Sequence, residues 1–446
     1  MSRPADYRAA LEWLETHTDY ERVNHVRREE PTLEPVRQLL SVFADPHRDY
    51  PVIHITGTNG KGTTSTLVSA LAREAGLRVG TFTSPDLHAV NERIAVNSEP
   101  IGDGPFTDLL ARLHDAEQVS GIVLTRFELL TVAALLHFSD EGVDLAVVEV
   151  GVGGTWDSTN VVDGTVSVLT NVDLDHTAIL GPTISAIAQD KVGIFRPDAL
   201  ALLATENAVV AEIAESRAKD LGATLWRLGR EFDLIANDLA LGGRVISFRT
   251  PYGSYDEIPL SLHGIHQGVN ALTAVVALEG FLGRHLGEDL VGTVLARAAM
   301  PGRLEVVGHR PTVLVDGAHN PAGARRLVEA LESAFLVDGV RRCVLGMLSG
   351  RDVDDMVEPF VDSGFEEFFC VAPRSPRAVS AAELAAAVRR AGGRARECAS
   401  VPLALSIARE LSGDDDLILA AGSLYLVAEV REVLLGVTSR HLGETS

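Results

Sequence analysis

One stretch constrains this chain more than any other. Val52-Ile-His-Ile is a short apolar strand that runs through Thr56 into Gly57-Thr-Asn-Gly-Lys-Gly-Thr63. Residues 61–75, KGTTSTLVSALAREA, then carry apolar positions at helical spacing as far as Gly76. A glycine-rich turn between strand and helix lets consecutive backbone N–H groups converge on phosphate oxygens, and the helix N-terminus adds the positive end of its dipole. Lys61 adds a full charge. The strict G-x-x-x-x-G-K-[ST] spacing fails, because Ile55 stands where its first glycine belongs and Gly62 follows the lysine. The competing reading is a tight turn that binds nothing; glycine content, context and lysine together favour phosphate.

The surroundings agree. Val79-Gly-Thr-Phe-Thr, Leu145-Ala-Val-Val-Glu-Val, Val166-Ser-Val-Leu-Thr and Leu200-Ala-Leu-Leu-Ala read as buried strands, with helices over 127–138 and 183–194. Strands apolar on both faces, alternating with helices, indicate an α/β fold with a parallel sheet. Around 228–263 the pattern changes, and Val245 to Tyr255 reads as a hairpin with a Pro/Gly turn, followed by helix over 268–282. After Met300-Pro-Gly-Arg303 a second alternation begins, with strands at Thr312, Cys343, Glu367 and Leu417. We expect a P-loop ATPase-type domain over 1–300 and a smaller Rossmann-like α/β domain over 301–446.

Composition narrows the function. The 446 residues carry 39 Lys+Arg against 62 Asp+Glu, a formal net charge of −23. General binding to nucleic acid or anionic membrane needs a cationic face and is not expected. No stretch approaches the roughly 18 unbroken apolar residues of a membrane span, and the first residues hold no apolar signal region. Cys343, Cys370 and Cys398 are odd in number and far apart, which fits a reducing cytoplasm rather than a disulfide scaffold or zinc site. Among the 39 basic residues only Lys61, Lys191 and Lys219 are lysines. Where this chain needs a generic surface cation it uses Arg, so a lysine here points to lysine chemistry.

Four further features sit after strands or near them. Glu149 closes the strand LAVVEV ahead of Gly151-Val-Gly-Gly154 and faces the ligand crevice of a parallel sheet, where Mg²⁺ wants one or two carboxylates. Ser84, in Thr83-Ser84-Pro85, is a candidate hydroxyl ligand. Asn171-Val-Asp-Leu-Asp-His176 offers Asp173, Asp175 and His176, and the sequence does not choose among them. Lys191 lies in the helix ISAIAQDKVGIF.

The motifs GTNGKGT, TSPDLHAVNERIAV, RFELLT, VEVGVGG, NVDLDHTAILG, DKVGIF, HQGVNA, MPGRLE, VDGAHNPAG and AGSLYLVAEVR occur in the order and spacing of the dihydrofolate synthase / folylpolyglutamate synthase family, within the wider Mur-ligase-like amide ligases. The chain resembles that family over nearly its whole length. The resemblance implies that Gly57, Thr58, Asn59, Gly60, Lys61, Gly62 and Thr63 hold the ATP phosphates. Asn270, Arg303 and Asp316 would contact adenine, phosphate and ribose. Ser84 and Glu149 would bind a first Mg²⁺, and His176 with a carbamylated Lys191 a second. Carbamylation needs a neutral amine to add CO₂, which a guanidinium cannot supply. His319 and Ser423 would lie near the incoming glutamate, with His319 or Asp316 assisting its deprotonation. The pterin side would draw on Thr125, Phe127 and Glu128, on Trp156, Asp157 and Ser158, and on Glu21 and Arg22. Many relatives carry Arg in a GGRxDATN pattern where this chain has Thr155, so a positive charge facing the substrate is missing there.

The expected activity is ATP-dependent joining of L-glutamate to dihydropteroate, to the γ-carboxylate of a reduced folate, or to both, through an acyl phosphate. A monomer working on small molecules is expected. Two alternatives stand: a cell-wall Mur ligase, for which the residues before the P-loop leave no room for a nucleotide-sugar domain, and a catalytically silent ATP-binding switch, which would need only the P-loop.

Overall fold

In the computed structural model, residues 3–19, 32–335, 337–350 and 352–440 are described. The first eight strands are β1 (Val52–Thr56), β2 (Val79–Phe82), β3 (Ile94–Val96), β4 (Glu99–Pro100), β5 (Leu145–Glu149), β6 (Gly164–Leu169), β7 (Leu200–Leu203) and β8 (Thr224–Arg227), and β1, β2, β5, β6 and β7 are the apolar runs. They form one sheet in the order β4-β3-β2-β5-β1-β6-β7-β8. The strands from β2 to β8 in that order pair in parallel, while β3 and β4 add an antiparallel edge. The edge strands and β8 were not expected from sequence, because they are short or half-exposed and lack a continuous apolar run.

Strand periodicity divides the core. Ala146 and Val148 of β5 join one apolar cluster with helices Tyr7–Leu14, Glu34–Val42, Asp103–Ser120 and Arg126–Asp140. Leu145 and Val147 point the other way, into a cluster with helices Lys61–Glu74 and His266–Leu282. The latter helix is apolar nearly all round because it is covered twice, by the large sheet and by a small antiparallel one: β9 (Asp233–Ala240), β10 (Gly243–Thr250) and β11 (Gly253–Leu260). The hairpin read from Val245 to Tyr255 is the β10–β11 pair. Its third strand, β9, escaped the sequence reading because every one of its residues is exposed or half-exposed.

The second alternation folds into β12 (Glu305–His309), β13 (Thr312–Asp316), β14 (Arg341–Leu345), β15 (Glu367–Cys370), β16 (Ala395–Glu397) and β17 (Leu417–Ala421), ordered β12-β13-β17-β14-β15-β16. Only β12 runs antiparallel. Apolar clusters fill both faces, and Cys343, Cys370 and Cys398 are buried free thiols. Among the described residues no helix is long and apolar enough to cross a membrane.

Candidate active site

The carboxyl ends of both parallel sheets face one cavity of 1110 Å³, as expected where ligands sit beyond strand ends in open α/β sheets. The loops after β1, β2, β5 and β6 form one wall; those after β13, β14 and β17 form the other.

The P-loop wall is built by register. Ile55 of β1 lies beside Glu149 of β5 on one side and Val168 of β6 on the other, so all three strands end level. The loop after β6 laces the turn. Thr58 N donates to Asn171 O (2.9 Å), Asn59 N donates to Asn171 Oδ1 (2.9 Å) and Thr170 Oγ1 donates to Asn59 O (2.7 Å). Gly60 caps the Lys61 helix at φ +84, and a Cβ there would lie 2.5 Å from Asn270 Oδ1. This position therefore needs glycine for both backbone and space. Asn59 Nδ2 is buried and donates to no protein atom. Such an orphan in a cavity wall fits an anionic ligand.

Lys61 Nζ donates to Gly57 O at 2.9 Å, and Lys191 Nζ donates to the same oxygen at 2.9 Å. Two of the chain's three lysines thus converge on one carbonyl. Lys191 ends helix Ile184–Lys191 and is 3% exposed. Burial first, and the Lys61 charge second, pull its amine down to about 7. Gly154 lets that helix end approach, since a Cβ would lie 2.8 Å from the carbonyl oxygens of both Asp190 and Lys191. Thr155 completes the contact. Its N–H and its hydroxyl both donate to Asp190 O, at 3.0 and 2.8 Å.

Glu149 faces the same space. Its Oε2 accepts from Ser84 N at 3.2 Å, and burial raises its carboxyl to about 7 against the opposing charge of Lys61 and the Ser84 bond. A carboxylate buried this way is suited to a cation that would hold it ionised. His176 starts helix Thr177–Leu180 at φ +49, a left-handed position, with its N–H donating to Asp175 Oδ1 at 2.8 Å. Among the described residues no three His, Cys, Asp or Glu side chains form a metal-binding group by themselves. A magnesium ion at such a place takes most of its ligands from water and phosphate oxygens, with only one or two protein carboxylates.

Opposite, Asp316 ends β13. Its Oδ2 accepts from Leu304 N and its Oδ1 from Ala318 N, both at 2.7 Å, which fixes Arg303 beside it. Burial raises the Asp316 carboxyl, and Arg303 opposes that shift. His319 Nδ1 meets Gly317 O at 2.8 Å. A carbonyl only accepts, so Nδ1 carries the hydrogen. Ser423 also borders the cavity, but its Oγ caps helix Leu424–Leu435 by accepting from Leu426 N at 3.2 Å.

These features lie inside two matched families. The Mur ligase middle domain matches residues 55–278, and the Mur ligase glutamate ligase domain matches 302–424. The chain is 36% identical to the dihydrofolate synthase/folylpolyglutamate synthase of Mycobacterium tuberculosis, over 90% of this chain and 85% of that protein.

This chain belongs to the dihydrofolate synthase/folylpolyglutamate synthase family.

Solved structures agree. Mycobacterium tuberculosis folylpolyglutamate synthase complexed with ADP and AMPPCP superposes with TM-score 0.89 at 32% identity, covering 98% of this chain and 100% of that one. A bifunctional folylpolyglutamate synthase/dihydrofolate synthase with Mn, AMPPNP and L-glutamate bound gives 0.84 at 28%, covering 98% and 99%.

Within this family fold, the expected phosphate, adenine and metal residues line the cavity together with His319 and Ser423. Among the described residues the expected pterin side chains do not line it. Thr125 Oγ1 accepts from Glu128 N while Glu128 Oε2 accepts from Thr125 N, a capping box that starts helix Arg126–Asp140. Asp157 accepts from Val152 N and from the N–H and hydroxyl of Thr159, and Ser158 bonds Thr131. Phe127 packs on Phe82 and beneath Gly151. Trp156 opens instead onto a separate 520 Å³ cleft with Arg37, His47 and Arg196. Glu21 and Arg22 lie outside the described residues. The sequence reading assigned no role to Arg93, Arg126 or Asn320, all cavity residues. All three sit inside quoted motifs; Arg93 pairs with Asp86 of its own motif, whereas Arg126 and Asn320 reach distant segments at Glu15 and Asp175.

Proposed function

We propose that the chain is a cytoplasmic, monomeric ATP-dependent ligase joining L-glutamate to dihydropteroate and to the γ-carboxylate of tetrahydrofolate. The observation that carries this reading is the convergence of Lys61, Lys191 and the buried Glu149 at one end of a cavity whose other wall presents His319. The acceptor carboxylate attacks the γ-phosphorus, ADP leaves, and an acyl phosphate forms. The glutamate amine then attacks the acyl carbon and phosphate leaves. Carboxylate is a poor electrophile; phosphorylation supplies the leaving group.

Residues 1–300 would hold ATP and the acceptor, and 301–446 would close over them. The P-loop N–H groups, Asn59 and Lys61 orient the phosphates, with Asn270, Arg303 and Asp316 on the nucleoside side. Catalysis is then mainly positioning and fixed charge. Ser84, Glu149, His176 and a carbamylated Lys191 would hold two Mg²⁺ ions, which when bound offset charge on the transferring phosphoryl group. A Lys191 amine lowered to about 7 has a neutral fraction able to add CO₂ with loss of one proton. His319 or Asp316 would assist deprotonation of the amine, and both Asp316 oxygens also accept backbone N–H groups. Phe127 and Asp157 stand directly behind Gly151 and Val152, so they would act on the pterin end by shaping that wall.

The test is ligation with Mg-ATP and L-glutamate, offering dihydropteroate and tetrahydrofolate separately and reading products by mass. One added glutamate in both, with matching ADP and phosphate, is expected. Gain in one tube alone would restrict the branch, and no gain in either would overturn the proposal.

A further inference from the structure

Asn320 is buried at 2% exposure, and its amide is engaged at both ends. Oδ1 accepts from Gly323 N at 2.7 Å and caps helix Pro321–Ala334 of the C-terminal half. Nδ2 donates to Asp175 Oδ2 at 2.8 Å, on the loop after β6 of the large sheet. The second oxygen of Asp175 accepts from His176 N at 2.8 Å. A further link joins the same two elements, Arg326 Nη2 to Asp173 Oδ2 at 3.3 Å.

We infer that Asn320 is a positioning residue that ties the seating of the C-terminal half to the geometry of the loop carrying His176. The required chemistry is specific. The cap needs an acceptor and the Asp175 carboxylate needs a donor, and a side-chain amide provides both at one position. Asp caps a helix as well as Asn does, yet it has no hydrogen to give and would set one carboxylate against another. If the C-terminal half swings away, the bond to Asp175 is lost. His176, held in a left-handed conformation at φ +49, then loses a constraint on the carboxylate that fixes its backbone. Closure and assembly of the His176 side of the site become one event. The activity arm of the test rests on the ligase reading above; the exchange arm does not.

Three variants of the full chain decide the matter: Asn320→Asp, Asp175→Asn, and both together. In Asn320→Asp, hydrogen exchange at the amides of residues 174–180 should rise about tenfold, and the thermal midpoint should fall, because the cap survives but a second carboxylate is buried against Asp175. kcat for ligation should fall about tenfold or more, with KM for ATP within about twofold. In the double variant the amide and carboxylate have traded places, so the link can re-form. Exchange and kcat should return to within about threefold of the unaltered protein. Unchanged exchange and kcat in Asn320→Asp would overturn the inference, as would a double variant whose losses multiply. If Asn320→Asp fails to fold, Asn320→Ser also caps the helix but is too short to reach Asp175, and carries the same expectation. An unaltered protein that makes no product would sink the ligase reading, while the exchange measurements would still judge Asn320.

Discussion

The P-loop wall and the segments expected to hold the pterin contain similar residues, yet they use them in opposite ways. Around Thr125, Asp157 and Ser158, polar groups bond to one another and to nearby backbone. Around Lys61, a buried amide donor lacks a protein partner, a carboxyl is raised to about 7 and a lysine is lowered to about 7. Unmet polar capacity and strained ionisation are costly in a folded chain. Where such groups border one cavity they mark where ligands complete the structure; Asp157, also raised by burial, is met instead by three local hydrogen bonds.

The sharpest way to break this contrast is Lys61→Ala. Removing the fixed charge at the transferring phosphoryl group should cost 100-fold or more in both ligation and ATP turnover, by analogy with loss of one preorganised donor (about 10²–10³). A variant with full ligase rates would remove Lys61 from the chemistry. Lys191→Arg should lose a comparable factor, because guanidinium keeps its charge and cannot add CO₂. Partial recovery of Lys191→Ala by added acetate would support a missing oxygen ligand; arginine at full activity would exclude a carbamate.

Glu149 provides a pH test with a definite sign. Its folded pKa, raised to about 7 from 4.5, means that the metal-free native state binds more protons than the unfolded chain between those values. Stability therefore falls as pH rises from about 4.5 to 7, and the full loss is present above 7. Lys191, lowered from 10.5 to about 7, acts oppositely, and stability rises from about pH 7 to 10.5. Glu149→Gln should thus raise the thermal midpoint of metal-free protein at pH 8, by an amount equivalent to up to about 3 kcal/mol, while ligation falls. The same substitution lowering the midpoint in EDTA would contradict the unpaired-carboxylate account. In the metal-free protein Glu149 and Lys191 take up protons below about pH 7, so the affinity for Mg²⁺, read by titration calorimetry, should decline there.

The smallest effect is expected on the other side. Thr125→Ala should cost about 1 kcal/mol of stability, the usual value of a helix cap, with kcat and the folate KM little altered. A tenfold rise in folate KM at unchanged stability would move Thr125 from scaffold to substrate contact and erase the contrast.

Much of this was legible in the sequence for a local reason. Strand, glycine turn and helix follow one another without a break from Val52 to Glu74, so dihedral preference and hydrophobic period settle them together. The scarcity of lysine drew attention to Lys191 before any coordinate did. The pterin assignment was less secure because Thr-x-x-Glu at 125–128 satisfies a capping box as well as a substrate contact, and spacing does not separate the two. β9 was missed because its pattern carries no buried face.

The sequence by itself determined the α/β class, the phosphate turn and the family, since each is written in contiguous residues or in motifs of fixed order. Only the tertiary structure decided that Lys191 reaches the carbonyl of Gly57, 134 positions away, and that Asn320 reaches Asp175 across 145. Those meetings depend on how strands register within a sheet and on how the two sheets come to share a cavity. Such relations arise from packing over the whole chain, and no local period encodes them.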